Sequence, residues 1–315
     1  MAVSFGAHVG QQNMEMDVMR ALWRRLDDAG MDWISCWDHL YEAPPAGGTI
    51  AHFEAIATLG AMCVETKRAR IGNLVFYVGY RNPGLLAKSA VTLDHLSGGR
   101  FELGLGAGWH DQEARAFGYE FPSVGTRLDM LEEAVPLIRS LLTQERTTHS
   151  GRFFAADNAS CLPSPVGGRR LPIWVGGTGE KRTLRIAARD ADGWNAAYVS
   201  SSRYGELNAA LDRWCDVERR DPATIERSVN LIFGLSVDSK AAAQMEQAMR
   251  AQWGPRAEGV LKGTLTGTPD QALERLASYA AAGANGINIA LRAPWDSEAL
   301  DAYLDVVLPA ARREL

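Results

Sequence analysis

Residues 101–110 read FELGLGAGWH, an apolar run with glycine at every second position (Gly104, Gly106 and Gly108) that leads straight into a polar helix. Such a run is a buried strand, and small residues at its end let a flat ring or a phosphate come close to backbone amides that can donate to it. The spacing speaks against a dinucleotide loop. Counted from Gly104, the pattern GxGxxG needs glycine at 109, which is Trp109; counted from Gly106 it needs glycine at 111, which is Asp111. Tight packing of the strand on its neighbours is the other use of these glycines, and it accounts more readily for one or two of them than for all three.

Outward from this strand, the chain repeats a short apolar strand, a turn and an amphipathic helix, the alternation that builds a parallel sheet. The pattern predicts strands at 3–9, 33–37, 69–77, 101–106, 172–175, 193–196, 230–237 and 287–291. Helices are expected over 16–29, 53–65, 83–96, 130–142, 181–189, 204–219 and 240–261, followed by one capped by Thr268 that ends at Gly283, and by a terminal helix. In the first helix Met19, Leu22, Trp23 and Leu26 fall at helical spacing, and Gly30 stands where a C′ glycine belongs. Residues 146–162 have no helical period and read as a small insertion. An open doubly wound sheet would show fewer strands and usually a glycine fingerprint after the first, where this chain has Gly10 followed by Gln11, Gln12 and Asn13. Eight units therefore predict a single (β/α)₈ TIM-barrel domain over residues 1–315, with the insertion after strand four.

Composition narrows the function. Against 33 basic residues stand 38 acidic ones, a net charge of −5, so no basic excess points to nucleic acid. No apolar run reaches the length of a membrane span, and the N-terminus reads as a strand rather than a signal peptide, so a soluble cytoplasmic protein is expected. Cys36, Cys63, Cys161 and Cys215 form no CxxC pair and have no histidine partner, which predicts reduced structural thiols and no metal site.

In a barrel, chemistry sits where strands end at the C-terminal face. Strand two ends in Trp37, Asp38 and His39, a carboxylate beside an imidazole. His39 can serve as a general acid or as a donor to a developing charge; the other use of the pair is a loop cap with the imidazole packed against it. Strand five ends in Gly176, Gly177, Thr178 and Gly179 just before a helix, an arrangement that can take an anion, and Asp192-Gly-Trp-Asn at strand six adds to it. The apolar end of strand three suits one face of a tricyclic ring, although most of it is core by default. The loops at 41–50 and 146–162 should set the substrate. The first, with PPAGG at 44–48, reads as a mobile lid, and neither carries a basic cluster, which speaks against a strongly anionic substrate.

Taken in order, RIGNLV at 70–75, YRNPGLLAK at 80–88, LDHLSGGRF at 93–101, GLGAGW at 104–109, PIWVGG at 172–177 and GTPDQ at 267–271 resemble the bacterial luciferase-like family. That family includes flavin-dependent monooxygenases and oxidoreductases that use the deazaflavin coenzyme F420. The resemblance implies a homodimer of barrels, each with the ring system in its mouth above a non-proline cis peptide, here at Leu74-Val75. An Asp-His pair at strand two resembles the deazaflavin enzymes, whereas many flavin monooxygenases resemble Glu-His-His, so Asp38 and His39 favour F420 over FMN. By the same resemblance Asp38 and His39 contact the ring, Ala107, Gly108, Trp109 and Gln112 line its other side, and Gly176, Gly177 and Thr178 hold the phosphate-bearing tail. Some deazaflavin sugar-phosphate dehydrogenases carry a glutamate where Trp109 stands. Trp109 cannot move a proton, which argues against that activity and leaves His39, with His110 or Glu113, for proton transfer. The resulting expectation is hydride transfer between C5 of F420 and a small organic substrate, with His39 handling the proton. The alternatives are an FMN-dependent monooxygenase and a cofactor-binding protein without turnover.

Overall fold

The computed structural model describes residues 2–42 and 47–315. The first half runs β1 (Ser4–Val9), α1 (Met16–Asp28), β2 (Trp33–Cys36), α2 (Ala55–Glu65), β3 (Arg70–Asn73), β4 (Phe76–Tyr77), α3 (Pro83–Leu96), β5 (Phe101–Gly106), α4 (Asp111–Ala116), α5 (Val124–Thr143), β6 (Thr147–Ser150) and β7 (Ala155–Ala159). The second runs β8 (Ile173–Gly176), α6 (Thr183–Asp190), β9 (Gly193–Ala197), α7 (Ser201–Glu218), β10 (Glu226–Leu235), α8 (Ser239–Trp253), α9 (Ala257–Lys262), β11 (Thr264–Gly267), α10 (Pro269–Ala281), β12 (Gly286–Leu291), α11 (Ser297–Ala302) and α12 (Leu308–Glu314).

Strands β1, β2, β3, β5, β8, β9, β10 and β12 pair in parallel, and β12 returns to β1, so the sheet closes as the eight-unit rhythm predicts. Local chemistry explains where helices start and stop. The Asn82 side chain accepts from the Gly84 amide with Pro83 in the first turn of α3. Gln271 accepts from the Thr268 amide at the start of α10, and Gly283, at φ +91°, follows its end. Helix α1 buries the stripe Met19, Leu22, Trp23 and Leu26. The predicted insertion is the antiparallel hairpin of β6 and β7, and all four cysteines are buried and unpaired.

Several elements differ from the sequence reading: β10 begins at Glu226 instead of 230, and the helix expected over 240–261 is broken into α8 and α9 at Gly254-Pro255. The run read as one strand at 69–77 is two, broken at a cis Leu74-Val75 peptide, after which β4 pairs only with β5. Helix α5 begins at Val124, not 130, because Ser123 caps it ahead of its apolar stripe. A four-residue strand, β11, flanks β10 outside the closed ring and was absent from the reading, being too short for a period to show. Among the described residues, no helix is long and apolar enough to cross a membrane.

Candidate active site at the barrel mouth

The floor of the mouth is where the glycines of the opening stretch are used. The Trp33 and Trp174 rings lie 4.5 Å apart inside the barrel, and Leu74 and Val75 pack against them. A Cβ on Gly104 would fall 1.9 Å from the Asn73 carbonyl oxygen, one on Gly106 2.4 Å from Val75 Cγ2, and one on Gly176 2.7 Å from Val75 Cγ1. Gly108, at φ +69°, leaves the same kind of room for the Tyr77 ring, 2.6 Å away. Packing thus accounts for all three glycines of 104–108. They admit the protein's own bulge at Leu74-Val75, and the bulge in turn presents its surface to a cavity of about 550 Å³.

Asp38 and His39 leave β2 together but turn apart. Asp38 Oδ2 accepts from the Tyr77 amide at 3.1 Å and from Arg81 at 2.7 Å, tying β2 to the strand beyond the cis peptide. Burial raises the Asp38 carboxyl, with Arg81 and the Tyr77 amide offsetting part of that shift. Its Oδ1 is buried and has no partner among the described residues.

His39 Nδ1 lies 2.7 Å from Glu113 Oε1. Glu113 is itself buried on α4 and accepts from the Tyr80 hydroxyl at 3.0 Å and from the amides of Leu40 and Tyr41 at 2.9 and 3.0 Å. Burial pushes the Glu113 carboxyl up, but the His39 bond and the two amides outweigh it and hold Glu113 below its ordinary range. An ionised Glu113 makes Nδ1–H the donor and leaves Nε2 of His39 without a partner among the described residues. Beside them, His110 Nδ1 accepts the Glu113 amide at 3.2 Å, and burial lowers its pKa despite the Glu113 charge. The His39 ring also meets Trp109, His110 and Trp37 edge-on, at 5.1, 5.6 and 6.4 Å. Trp109 itself is 59% exposed at the rim. Where Trp109 offers no carboxylate, Glu113 one helical turn later brings one to His39.

The remaining wall comes from β1 and the last strands. His8 Nδ1 sits 2.9 Å from Ser35 Oγ, and burial, with the nearby charge of Arg292, pushes its pKa down to about 3, so it is neutral. Asn195 Nδ2 donates to Ser228 Oγ and Asn230 Oδ1, which also accepts from Asn288, so these side chains form one connected polar layer. Tyr198, Trp253, Arg256 and Arg292 complete the cavity.

Of the residues singled out in the sequence, Asp38, His39, Leu74, Val75, Gly108, Trp109, Gly176 and Gly177 line this cavity. Ala107, Gln112 and Thr178 stand outside its wall. The Ala107 carbonyl accepts from Arg127, the Gln112 amide lies against Gly47, and Thr178 is exposed. The Gly177 amide is spent on the Asn195 carbonyl at 3.0 Å, and α6 starts only at Thr183, so the anion cradle expected before it is reduced to the glycine surfaces and the Thr178 hydroxyl. Residues 43–46, the middle of the expected lid at 41–50, lie outside the described residues; on either side of them Glu42 accepts the amides of Gly48, Thr49 and Ile50. His8, Asn230, Tyr198 and Arg292 were not singled out. His8, Tyr198 and Arg292 lie at or just beyond the ends of β1, β9 and β12, which is the signal that could have found them, whereas Asn230 sits in the middle of β10 and carries no such signal.

Comparison with known proteins places this geometry. A family model described as luciferase-like monooxygenase matches residues 1–262. An uncharacterized protein of Mycobacterium tuberculosis is 37% identical over 137 residues, 44% of this chain and 47% of the relative. The chain thus spans about half the length of the first curated relatives it matches. An F420-dependent glucose-6-phosphate dehydrogenase of Intrasporangium calvum is 27% identical, with 91% of this chain and 92% of that protein covered. Among solved structures, an F420-dependent secondary alcohol dehydrogenase in complex with an F420-acetone adduct superposes with a TM-score of 0.86 at 20% identity, covering 99% of each chain.

Proposed function

The chain belongs to the luciferase-like monooxygenase family, and from that premise we propose that it is an oxidoreductase transferring a hydride between coenzyme F420 and a small organic substrate at the barrel mouth. The observation that carries the proposal is a cavity with Leu74-Val75 as its floor and His39, anchored by buried Glu113, in its wall. The F420-dependent names of the relatives above support the choice of cofactor.

The residues present fit a deazaflavin. Leu74, Val75 and Tyr77 offer apolar surface to one ring face, and the unpartnered Oδ1 of Asp38 can accept from a ring N–H or hydroxyl. Gly108 and Trp109 would flank the ring, with Ala107 and Gln112 supporting that side from behind the wall, and Gly176, Gly177 and Thr178 would allow a phosphate-bearing tail to pass close to the backbone. When bound, the deazaflavin supplies the carbon that gives or takes the hydride.

The chain's own part is orientation and the proton. Glu113 fixes the tautomer and angle of His39, so Nε2 holds or accepts the proton that accompanies the hydride. Neutral His8 and His110 beside it add no competing charge. The aromatic walls exclude water from the reacting face. As the family resemblance implies, the working form is proposed to be a homodimer of single-domain barrels, which sedimentation equilibrium checks. The reaction itself is tested by incubating the F420-loaded protein with alcohols, aldehydes and ketones and following cofactor absorbance and dissolved oxygen together. Cofactor turnover without oxygen uptake is expected; oxygen uptake with reduced FMN and none with F420 would make the chain a flavin monooxygenase.

A further inference from the structure

The cavity wall carries a charge imbalance that the hydride-transfer reading leaves unused. Both of its carboxylates are taken, Asp38 by Arg81 and Glu113 by His39. Its two arginines, Arg292 and Arg256, have no hydrogen-bonded or ion-paired acceptor among the described residues. The expectation against a strongly anionic substrate rested on the two loops at 41–50 and 146–162; these cations come instead from just beyond β12 and from the turn between α8 and α9.

Arg292 is held in place. Its guanidinium carbon lies over the Tyr198 ring, 4.7 Å from the centroid, and over the Trp37 ring at 5.5 Å, so two aromatic faces hold the cation by cation–π attraction, while its buried Nε finds no partner among the described residues. Tyr198 takes up this position at φ +60°, a left-handed conformation disfavoured for a residue with a Cβ. Gly263 makes room for it, since a Cβ there would lie 2.3 Å from the Tyr198 carbonyl. A guanidinium held by two ring faces and bonded to no acceptor keeps its planar N–H donors free as a fork, the geometry that a carboxylate matches with two parallel hydrogen bonds. The same Trp37 ring also touches His39, so the cation and the proton-handling imidazole share one wall. Around them Ile232, Trp253 and Val260 are apolar.

We propose that Arg292 binds the carboxylate of an otherwise apolar substrate, so that the enzyme acts on organic acids rather than on neutral alcohols or sugars. Arg256, exposed at the entrance, adds a field of the same sign. The proposal rests on the mouth cavity being the substrate pocket of the reading above.

Calorimetric titration of the F420-loaded protein with benzoate and hexanoate, each against its alcohol, tests it. The acids should bind at least about tenfold tighter than the alcohols. In Arg292→Met that preference should vanish with the alcohols unchanged, Arg292→Lys should keep only part of it, and F420 affinity by fluorescence should stay within about twofold. Equal binding of acid and alcohol, or an acid preference that survives in Arg292→Met, would overturn the proposal. So would a loss of F420 affinity in Arg292→Met, which would give the arginine to the cofactor, or a clear preference for phenyl phosphate over benzoate. If F420 fails to bind the native protein, the hydride-transfer reading falls, and the same acid and alcohol titrations without cofactor still decide the role of Arg292.

Discussion

At the bottom of the barrel the Arg70 guanidinium lies over Trp33 at 5.3 Å and donates to both Glu102 and Glu226, while at the mouth Arg292 lies over Trp37 at 5.5 Å and donates to neither carboxylate nor carbonyl among the described residues. The two tryptophans lie at the two ends of one strand region, Trp33 opening β2 and Trp37 just beyond it. The carboxylates repeat the contrast. Glu102 uses both oxygens, Oε1 on Arg70 and Oε2 on the Trp174 indole at 2.6 Å, whereas Asp38 loads one oxygen twice and leaves the other buried and bare. Here the lower end satisfies its charged groups with the chain's own atoms and so contributes stability. Among the described residues, the mouth withholds partners from an arginine and from one oxygen of a carboxylate, which leaves them for something that binds.

Substitutions at the two ends should therefore divide into losses of turnover and losses of stability. The largest effect is expected at the mouth, where His39→Ala should lower kcat by about 10²–10⁴-fold while F420 affinity and Tm change little; steady-state kinetics on the folded variant decides, and full activity would end the catalytic role of His39. Next comes the bottom, where Glu102→Leu removes one acceptor of Arg70 and strands the Trp174 N–H. Urea denaturation should show a loss of about 3 kcal/mol with F420 binding retained. A stable Glu102→Leu protein that no longer binds F420 would erase the distinction between the ends.

Glu113→Gln should have a milder effect, because the amide oxygen can still accept one backbone donor but no longer carries the charge that orients His39. A fall in kcat of about tenfold with KM nearly unchanged, together with a shifted pH profile, is expected; a fall in stability alone would reduce Glu113 to packing. The smallest effect at neutral pH concerns His8. Its pKa is lowered from 6.5 to about 3 in the folded protein, so the unfolded chain binds more protons between these values. Its contribution to stability is accordingly complete above pH 6.5 and is lost as the pH falls toward 3. His8→Gln should leave stability near pH 7 almost unchanged and flatten its decline on acidification, as thermal melts across that range would show.

Periodicity made most of the barrel legible. The bounds of α3 and β5 agree with the reading because Asn82-Pro83 and the alternating FELGLG run carry their own start and stop signals. The break inside 69–77 was invisible to any hydrophobic pattern, since Leu74 and Val75 are apolar whichever way their peptide turns. For the site, the strand-two end announced Asp38 and His39. That they part company, one to Arg81 and one to Glu113, depends on contacts 43 and 74 residues away along the chain. Arg292 was harder still. In sequence it is one basic residue after a strand, and only the meeting of β12 with Trp37 and Tyr198 makes it a held, unpaired cation. The glycines of 104–108 were located correctly, but that packing uses all three could not be read from their own segment, because the groups they accommodate, Asn73, Val75 and Tyr77, come from β3, β4 and the bulge between them.

The central claim is tested most directly by equilibrium titration of the purified apo-protein with F420 and with FMN, side by side and read by fluorescence. A preference for F420 of at least tenfold, about 1.4 kcal/mol, is the predicted result. An equal or stronger preference for FMN would contradict the account and show that Asp38 and His39 do not select the deazaflavin.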